Sequence, residues 1–251
     1  MFYLNKDQLT AKSETLPPSA KQNDWKKHFE LLEQTSKYPA LKQFYQAGVV
    51  AATTPISDLP MVALDFETTG LDSNRDSIVS IGLVDMNLSR IRCAGARHWV
   101  IKPETKLHSR SVVVHGITHS AVADAPDFST LLDELLARLQ GKIVIVHHSP
   151  IERGFLNAAL KRHIHEGIEF PVIDTMALET RFSRKLGKSL WRNLIGQKQP
   201  SIRLTDSRTR YHLPYYRQHN ALTDALACGE LLQAQCATFL TPETTLDAIW
   251  S

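Results

Sequence analysis

Cysteine is scarce: Cys93, Cys228 and Cys236 are the only three in 251 residues, and they lie far apart. That spacing excludes a disulfide framework and a metal knuckle, and it points to a reducing compartment. Long apolar runs are also missing. The longest, GVVAA at 48–52 and IVIV at 143–146, fall well short of the ~20 residues that cross a bilayer. The opening MFYLNKDQ meets charge too early for a signal peptide, so a soluble, cytoplasmic protein without membrane association is expected. Arginine is absent from residues 1–60, whose seven basic residues are all lysine, whereas residues 61–251 hold fifteen Arg and seven Lys. This shift supports a domain boundary near 60. With 43% apolar and 22% charged residues, disorder is excluded as the general state.

Net charge is only +3, but it is unevenly distributed. Ten basic residues and one acid lie between Arg181 and Arg217, so the rest of the chain is net acidic. A basic stretch beside an acidic body is either a solvated surface or a track for a phosphate backbone, with Arg203, Arg208 and Arg210 as the residues to test. The Pro17-Pro18 pair and TTPISDLP at 53–60 bracket a helical stretch, in which Asn23 or Asp24 caps a helix carrying Trp25, Phe29 and Leu32. Leu41, Phe44 and Tyr45 mark a second helix. Residues 1–60 are therefore expected to form a helical arm, followed by a catalytic body over 61–240 and a short tail over 241–251.

From residue 61 onward, apolar runs predict strands at about 61–67, 77–86, 97–102, 142–147 and 170–174. Helical patterns follow at about 128–140, 150–164, 175–183 and 221–239. Three strands in succession and then alternating helices and strands describe an α/β protein, a mixed β-sheet flanked by helices. Asp65 and Glu67 stand two apart at the end of the first strand, so alternation puts both carboxylates on one face. Ionised acids held side by side call for a cation between them, and hard oxygen ligands suit Mg²⁺ or Mn²⁺. Gly70, after Thr68 and Thr69, can take a positive φ and let the backbone approach a ligand.

Glu152 lies just inside the helix after KIVIVH. Ser149-Pro150-Ile151-Glu152 reads as a capping box, an alternative to metal binding. In His219-Asn220-Ala221-Leu222-Thr223-Asp224, the aspartate falls in the first turn of a helix, where its charge is favoured with or without a metal, and His219 precedes the helix.

Taken together and in order, ALDFETTGLD (63–72), IVIVHHSPIERGFL (143–156) and HNALTDA (219–225) resemble the three motifs of the DEDDh, or DnaQ-like, 3′→5′ exonucleases with a ribonuclease H-like fold. VHGIT at 114–118 and VIDT at 172–175 add to the similarity, which covers roughly 61–236. Glu152 stands where the family has aspartate, and His148 where it usually has asparagine. The resemblance implies that Asp65 bridges two divalent cations, Mg²⁺ or Mn²⁺, with Glu67 and Asp224 on the first and Glu152 placing the second through water. It further implies His219 as general base. Thr68 and Thr69 would face the terminal nucleotide, and Leu71, His115 and Phe155 would pack its sugar and base. The implied partner is a nucleic acid with a free 3′-OH end, single-stranded, and nothing in the sequence supports a protein partner for the arm. The expected function is a stand-alone 3′→5′ exonuclease releasing mononucleotides. Two alternatives stand beside it: a polymerase proofreading subunit, for which the roughly fifteen residues after the last helix are a short tail, and a nucleic-acid-binding scaffold with a weakened site.

Overall fold

The computed structural model describes residues 24–105, 109–185 and 200–251. Five strands, β1 (Met61–Thr68), β2 (Ile78–Asn87), β3 (Arg90–Val100), β4 (Ile143–Val146) and β5 (Val172–Asp174), form one mixed sheet in the order β3-β2-β1-β4-β5. The β1–β2 and β2–β3 pairs are antiparallel, and β1–β4 and β4–β5 are parallel. The central strands β1 and β4 read as nearly continuous apolar runs because both faces of the sheet are covered. Strand β3 begins seven residues earlier than its apolar segment predicts. It is an edge strand whose side chains are mostly exposed, so burial imposes no alternation on it, and its arginines discourage pairing with another chain. The β2–β3 turn is closed by the Asn87 side chain, which accepts the amides of Ser89 at 3.1 Å and Arg90 at 2.8 Å.

The helices are α1 (Trp25–Thr35), α2 (Pro39–Gln46), α3 (Ser109–His115), α4 (His119–Ala123), α5 (Phe128–Leu139), α6 (Ser149–Ile164), α7 (Thr175–Lys185), α8 (Leu204–Arg210) and α9 (Ala221–Phe239). Asp24 caps α1 by accepting the Lys27 amide at 3.2 Å. Helix α9 lies across β1, β2, β3 and β4. It is apolar almost all round because it is enclosed by the sheet, α7 and α8. No helix among the described residues is long and apolar enough to cross a membrane.

Residues 24–60 and the C-terminal residues share the core of the sheet: Trp25, Phe29, Leu41, Phe44, Tyr45, Leu246, Ile249 and Trp250 are all buried in it. Each fully buried aromatic or aliphatic side chain contributes about 1.5–3 kcal/mol. Polar contacts set their registration. The Glu166 carboxylate accepts the Tyr38 amide at the start of α2 at 2.8 Å, and the backbone of Ile56 donates to Thr244 at 2.9 Å. Arg153 on α6 lies 5.6 Å over the Trp25 ring and donates to the carbonyls of Phe170 and Ser251.

Candidate active site

Strand β1 pairs with β4 only over Met61–Ala63, so its last residues have β2 on one side and an open edge on the other. Asp65 and Glu67 project from this free end. A register shift falls immediately after Glu67, between its pairing with Ser80 and that of Thr68 with Ile78. Such irregularities bend a strand and re-aim its side chains. Opposite Asp65 on β2 stands Gly82. A Cβ there would lie 2.1 Å from the backbone carbonyl of Ala221 and 2.2 Å from the Leu222 nitrogen, so the missing side chain is what lets the start of α9 press onto the sheet. A glycine inside an apolar strand was the available signal in the sequence for this close approach.

The start of α9 supplies the next two groups. Asn220 caps it, its side chain accepting the Thr223 amide at 3.1 Å. Asp224, in the first turn, accepts the His219 backbone N–H through Oδ2 at 2.7 Å. The spacing of five residues thus has a local mechanical meaning: the aspartate anchors the backbone that presents the histidine. His219 is exposed and has φ of 66°, a left-handed conformation uncommon for a residue with a side chain. Ligand atoms of Glu67, His219 and Asp224 all lie within 4.8 Å of one another.

Glu152 is 2% exposed on α6. The expected capping box does not form: α6 begins at Ser149, its N-cap is His148 at φ 93°, and no side chain of the cap residue bonds the helix amides. The cap comes instead from Asp174 at the end of β5, which accepts the amides of His148 at 3.1 Å and Ser149 at 2.8 Å. The same carboxylate accepts Met176 at 2.9 Å and Ala177 at 3.2 Å, so it caps the starts of α6 and α7 together. These bonds hold the Asp174 carboxyl below its ordinary range in spite of burial. With the His148 and Ser149 amides satisfied, Glu152 is not needed to cap them, and its Oε2 is buried without a hydrogen-bond partner. The left-handed turn at His148 suits the residue that occupies it, since His is among the side chains enriched in that conformation.

Four carboxylates are therefore crowded together. Burial pushes the Asp65 carboxyl well up, and Glu152, Asp224 and Glu67 add to the rise. Burial and Asp224 push Glu67 up to about 8. Burial raises Glu152, and it raises Asp224 against the opposing hydrogen bond from His219. An all-oxygen donor set with an orphaned buried carboxylate oxygen fits hard divalent cations, which would relieve both the repulsion and the orphan. Glu152→Gln should accordingly reduce metal-dependent activity by about 100-fold or more without lowering the metal-free melting temperature, while Glu152→Asp retains a substantial rate. A fully active glutamine variant in a steady-state assay would remove Glu152 from the site.

The segments around this cluster divide into those that face solvent and those that do not. Leu71 is 84% exposed, and Thr68 is partly exposed, its hydroxyl donating to the Gly70 carbonyl at 2.6 Å. Thr69 is turned inward. Its hydroxyl meets Asp76, Thr105 and the Ser77 amide, leaving it no free side chain for a nucleotide. Phe155 is likewise 1% exposed and belongs to the core, because its face of α6 packs against the sheet. Gly70 does not adopt a positive φ; a Cβ there would strike the Asp76 carboxylate. His115 accepts the Ile117 amide at Nδ1, so in the neutral ring Nε2 carries the proton, and that atom is buried and unpartnered. Burial and the nearby His219 lower its pKa and keep it neutral.

Among the described residues of the basic stretch, burial is uneven. Arg208 is 4% exposed, Arg210 pairs with Glu179 at 2.9 Å, and Arg181 donates to the Ala248 carbonyl. Lys188, Arg192 and Lys198, with the side chains of Arg184 and Lys185, lie outside the described residues. Arg203 and Arg217 are exposed.

Residues 62–232 match the family model RNase_T, described as an exonuclease. Among curated proteins, the PolC-type DNA polymerase III of Thermotoga petrophila is 33% identical over 170 residues, 68% of this chain and 11% of the polymerase. The DNA polymerase III epsilon subunit of Rickettsia prowazekii is 28% identical over 184 residues, 71% of this chain and 75% of the subunit. The chain thus spans about a tenth of the polymerase and three quarters of the subunit. The crystal structure of the nuclease domain of 3′hExo, a DEDDh family member, bound to rAMP, has the same fold. Its TM-score is 0.56 at 16% identity, over 75% of this chain and 96% of that one.

Proposed function

The chain belongs to the exonuclease family matched over residues 62–232, and from that membership we propose that it hydrolyses the last phosphodiester bond at the 3′-OH end of a nucleic acid strand, releasing nucleoside monophosphates one at a time. The observation that carries this reading is the convergence of Glu67, His219 and Asp224 within 4.8 Å beside the crowded Asp65 and Glu152. Two divalent ions, Mg²⁺ or Mn²⁺, bound by these four carboxylates, would supply the positive charge that stabilises the phosphorane-like transition state and the leaving 3′ oxygen. His219, with its ring exposed and its backbone anchored by Asp224, takes the proton from the attacking water, work suited to an imidazole near neutral pH. His115, partly exposed and near His219, borders the terminal nucleotide on one side, and Thr68 and Leu71 border its other side. Single-stranded substrate is supported by exposed apolar groups on the segments that carry these residues. Leu71 follows the β1 end, Val113 and Val114 precede His115, and Tyr215 lies four residues before His219. Of these, Tyr215 offers an aromatic face on which an unstacked base can stack without regard to sequence. Cytoplasmic residence accords with three free cysteines.

Digestion of 5′-labelled DNA and RNA strands is the test. The expected result is a ladder shortening from the 3′ end that requires added Mg²⁺ or Mn²⁺ and stops at a 3′-phosphate. His219→Ala should lower kcat by roughly 100-fold with little change in KM. Cleavage of a circular strand at the same rate as a linear one would exclude the exonuclease mode, and an unimpaired alanine variant would exclude the base. A second reading, service as the proofreading subunit of a DNA polymerase, is favoured by the similarity to the Rickettsia epsilon subunit across most of that subunit's length.

A further inference from the structure

The loop that delivers His219 is not held by its own backbone. It leaves α8 through His212 at φ 56° and reaches α9 through His219 at φ 66°, two left-handed turns at residues with side chains. Between Pro214 and Gln218, no backbone–backbone hydrogen bond is present among the described residues. What holds this stretch is one buried guanidinium. Arg208 donates to the Pro214 carbonyl at 2.9 Å and lies 4.6 Å over the Tyr216 ring, two points on the loop. Its other bonds go to α9: the Ala227 carbonyl at 2.7 Å, three residues beyond Asp224, and the Glu230 carboxylate at 2.7 Å. Tyr216 closes the circuit by donating its hydroxyl to the other Glu230 oxygen at 2.9 Å.

We propose that Arg208, with Tyr216 and Glu230, is a clamp that positions the His219 loop over the carboxylates, a role that rests on the general-base reading of His219. A planar guanidinium suits it, because it bonds carbonyl, carboxylate and ring in different directions at once, and an ammonium cannot stack in the same way. Burial makes the anchor stiff: the guanidinium is 4% exposed, and its bond to the Ala227 carbonyl is made where water cannot substitute for it. The clamp ties the loop to the same helix that carries Asp224, so base and acid keep a fixed relation even if α9 shifts. Misplacing a reacting group by about 1 Å costs on the order of 100-fold in rate.

Arg208→Lys, Tyr216→Phe and Glu230→Gln test this by steady-state kinetics on a 3′-OH oligonucleotide in Mn²⁺ and by amide hydrogen exchange. Arg208→Lys should lower kcat by roughly 10- to 100-fold and change KM less than about threefold. Exchange in residues 211–220 should accelerate while amides of β1 and β2 keep their protection. Tyr216→Phe and Glu230→Gln should shift both readouts in the same direction by less, and free guanidinium should restore part of the rate to Arg208→Ala. Wild-type kcat and exchange in Arg208→Lys would overturn the clamp, as would an equal loss of protection throughout the sheet. If Arg208→Lys does not fold, Tyr216→Phe and Glu230→Gln decide by the same two measurements, and wild-type values in both overturn it. A wild-type protein that cleaves no oligonucleotide defeats the exonuclease reading instead, and the exchange data then judge the clamp alone.

Discussion

Asp65→Asn is expected to lower exonuclease activity by about 10³-fold or more and, in the same protein, to raise the metal-free melting temperature. The two effects have opposite signs because they have one cause. Asp65 sits at the centre of the carboxylate cluster, where burial, Glu152, Asp224 and Glu67 all oppose its ionisation. Without cations, that charge destabilises the fold; with them, it is the site's main attraction. The pH dependence follows from the direction of the shifts. A carboxyl whose folded-state pKa is raised holds its proton longer in the native protein than in the unfolded chain. Its contribution is therefore fully present below the ordinary carboxylate range and is lost as pH rises through the folded value, which for Glu67 is about 8. Metal-free wild-type protein should melt progressively lower from pH 5 to pH 8. Mg²⁺ or Mn²⁺ should restore the melting temperature most at pH 8, where protons compete least with the ion. Asp65→Asn should flatten both trends. Calorimetry at pH 5 and 8 with EDTA or Mn²⁺ measures them. A variant that melts below wild type at pH 8 in EDTA would show that these carboxylates do not repel one another.

Gly82→Ala is the second large effect, and it acts through packing alone. The added methyl would lie 2.1 Å from the Ala221 carbonyl, a backbone atom at the first turn of α9, and neither β2 in mid-sheet nor the helix start can give way cheaply. Overpacking of this kind costs about 1–3 kcal/mol. Relief comes by lifting α9 off the sheet, which carries Asp224 and the anchored His219 away from Glu67. Activity should fall by about 100-fold or more through this displacement. Gly95→Ala is the matched control: in the same sheet, the nearest atoms to its new methyl lie 3.8 Å away, so stability should change by less than about 0.5 kcal/mol. Denaturant melts and kinetics on the pair test the argument, and equal behaviour of the two variants would sink it.

The elements most legible from sequence were those whose surroundings impose a period. Strands β1, β2 and β4 are buried, and α5 has a buried face, so their apolar patterns mark their positions. The edge strand β3 began earlier than its pattern suggested, and α3, α4 and α8, at five to seven residues, are too short to show a helical period. At Glu152, local grammar suggested a cap that the fold supplies from Asp174. The basic stretch was legible as charge, yet Arg208 turns inward to bond a carbonyl and a carboxylate of the last helix, and Arg210, though exposed, is paired with Glu179. Thr69 and Phe155 belong to motifs facing the site, but their own side chains point into the protein.

By itself, the sequence determined the acids and the histidine, the order in which they occur, and the local geometry that depends only on near neighbours. Two carboxylates two apart on a strand share a face, and a histidine five before an aspartate at a helix start is bonded by it. Only the tertiary structure decided that β1 outruns β4 to leave those carboxylates at an open edge, that Gly82 admits α9 against them, and that Asp174 and Arg208 hold the flanking segments in place. The division has a physical basis. Side-chain direction along a strand or helix is set by backbone geometry within a few residues. Which surfaces meet, and which buried polar groups find partners, depends on contacts between segments tens of residues apart that no local period encodes.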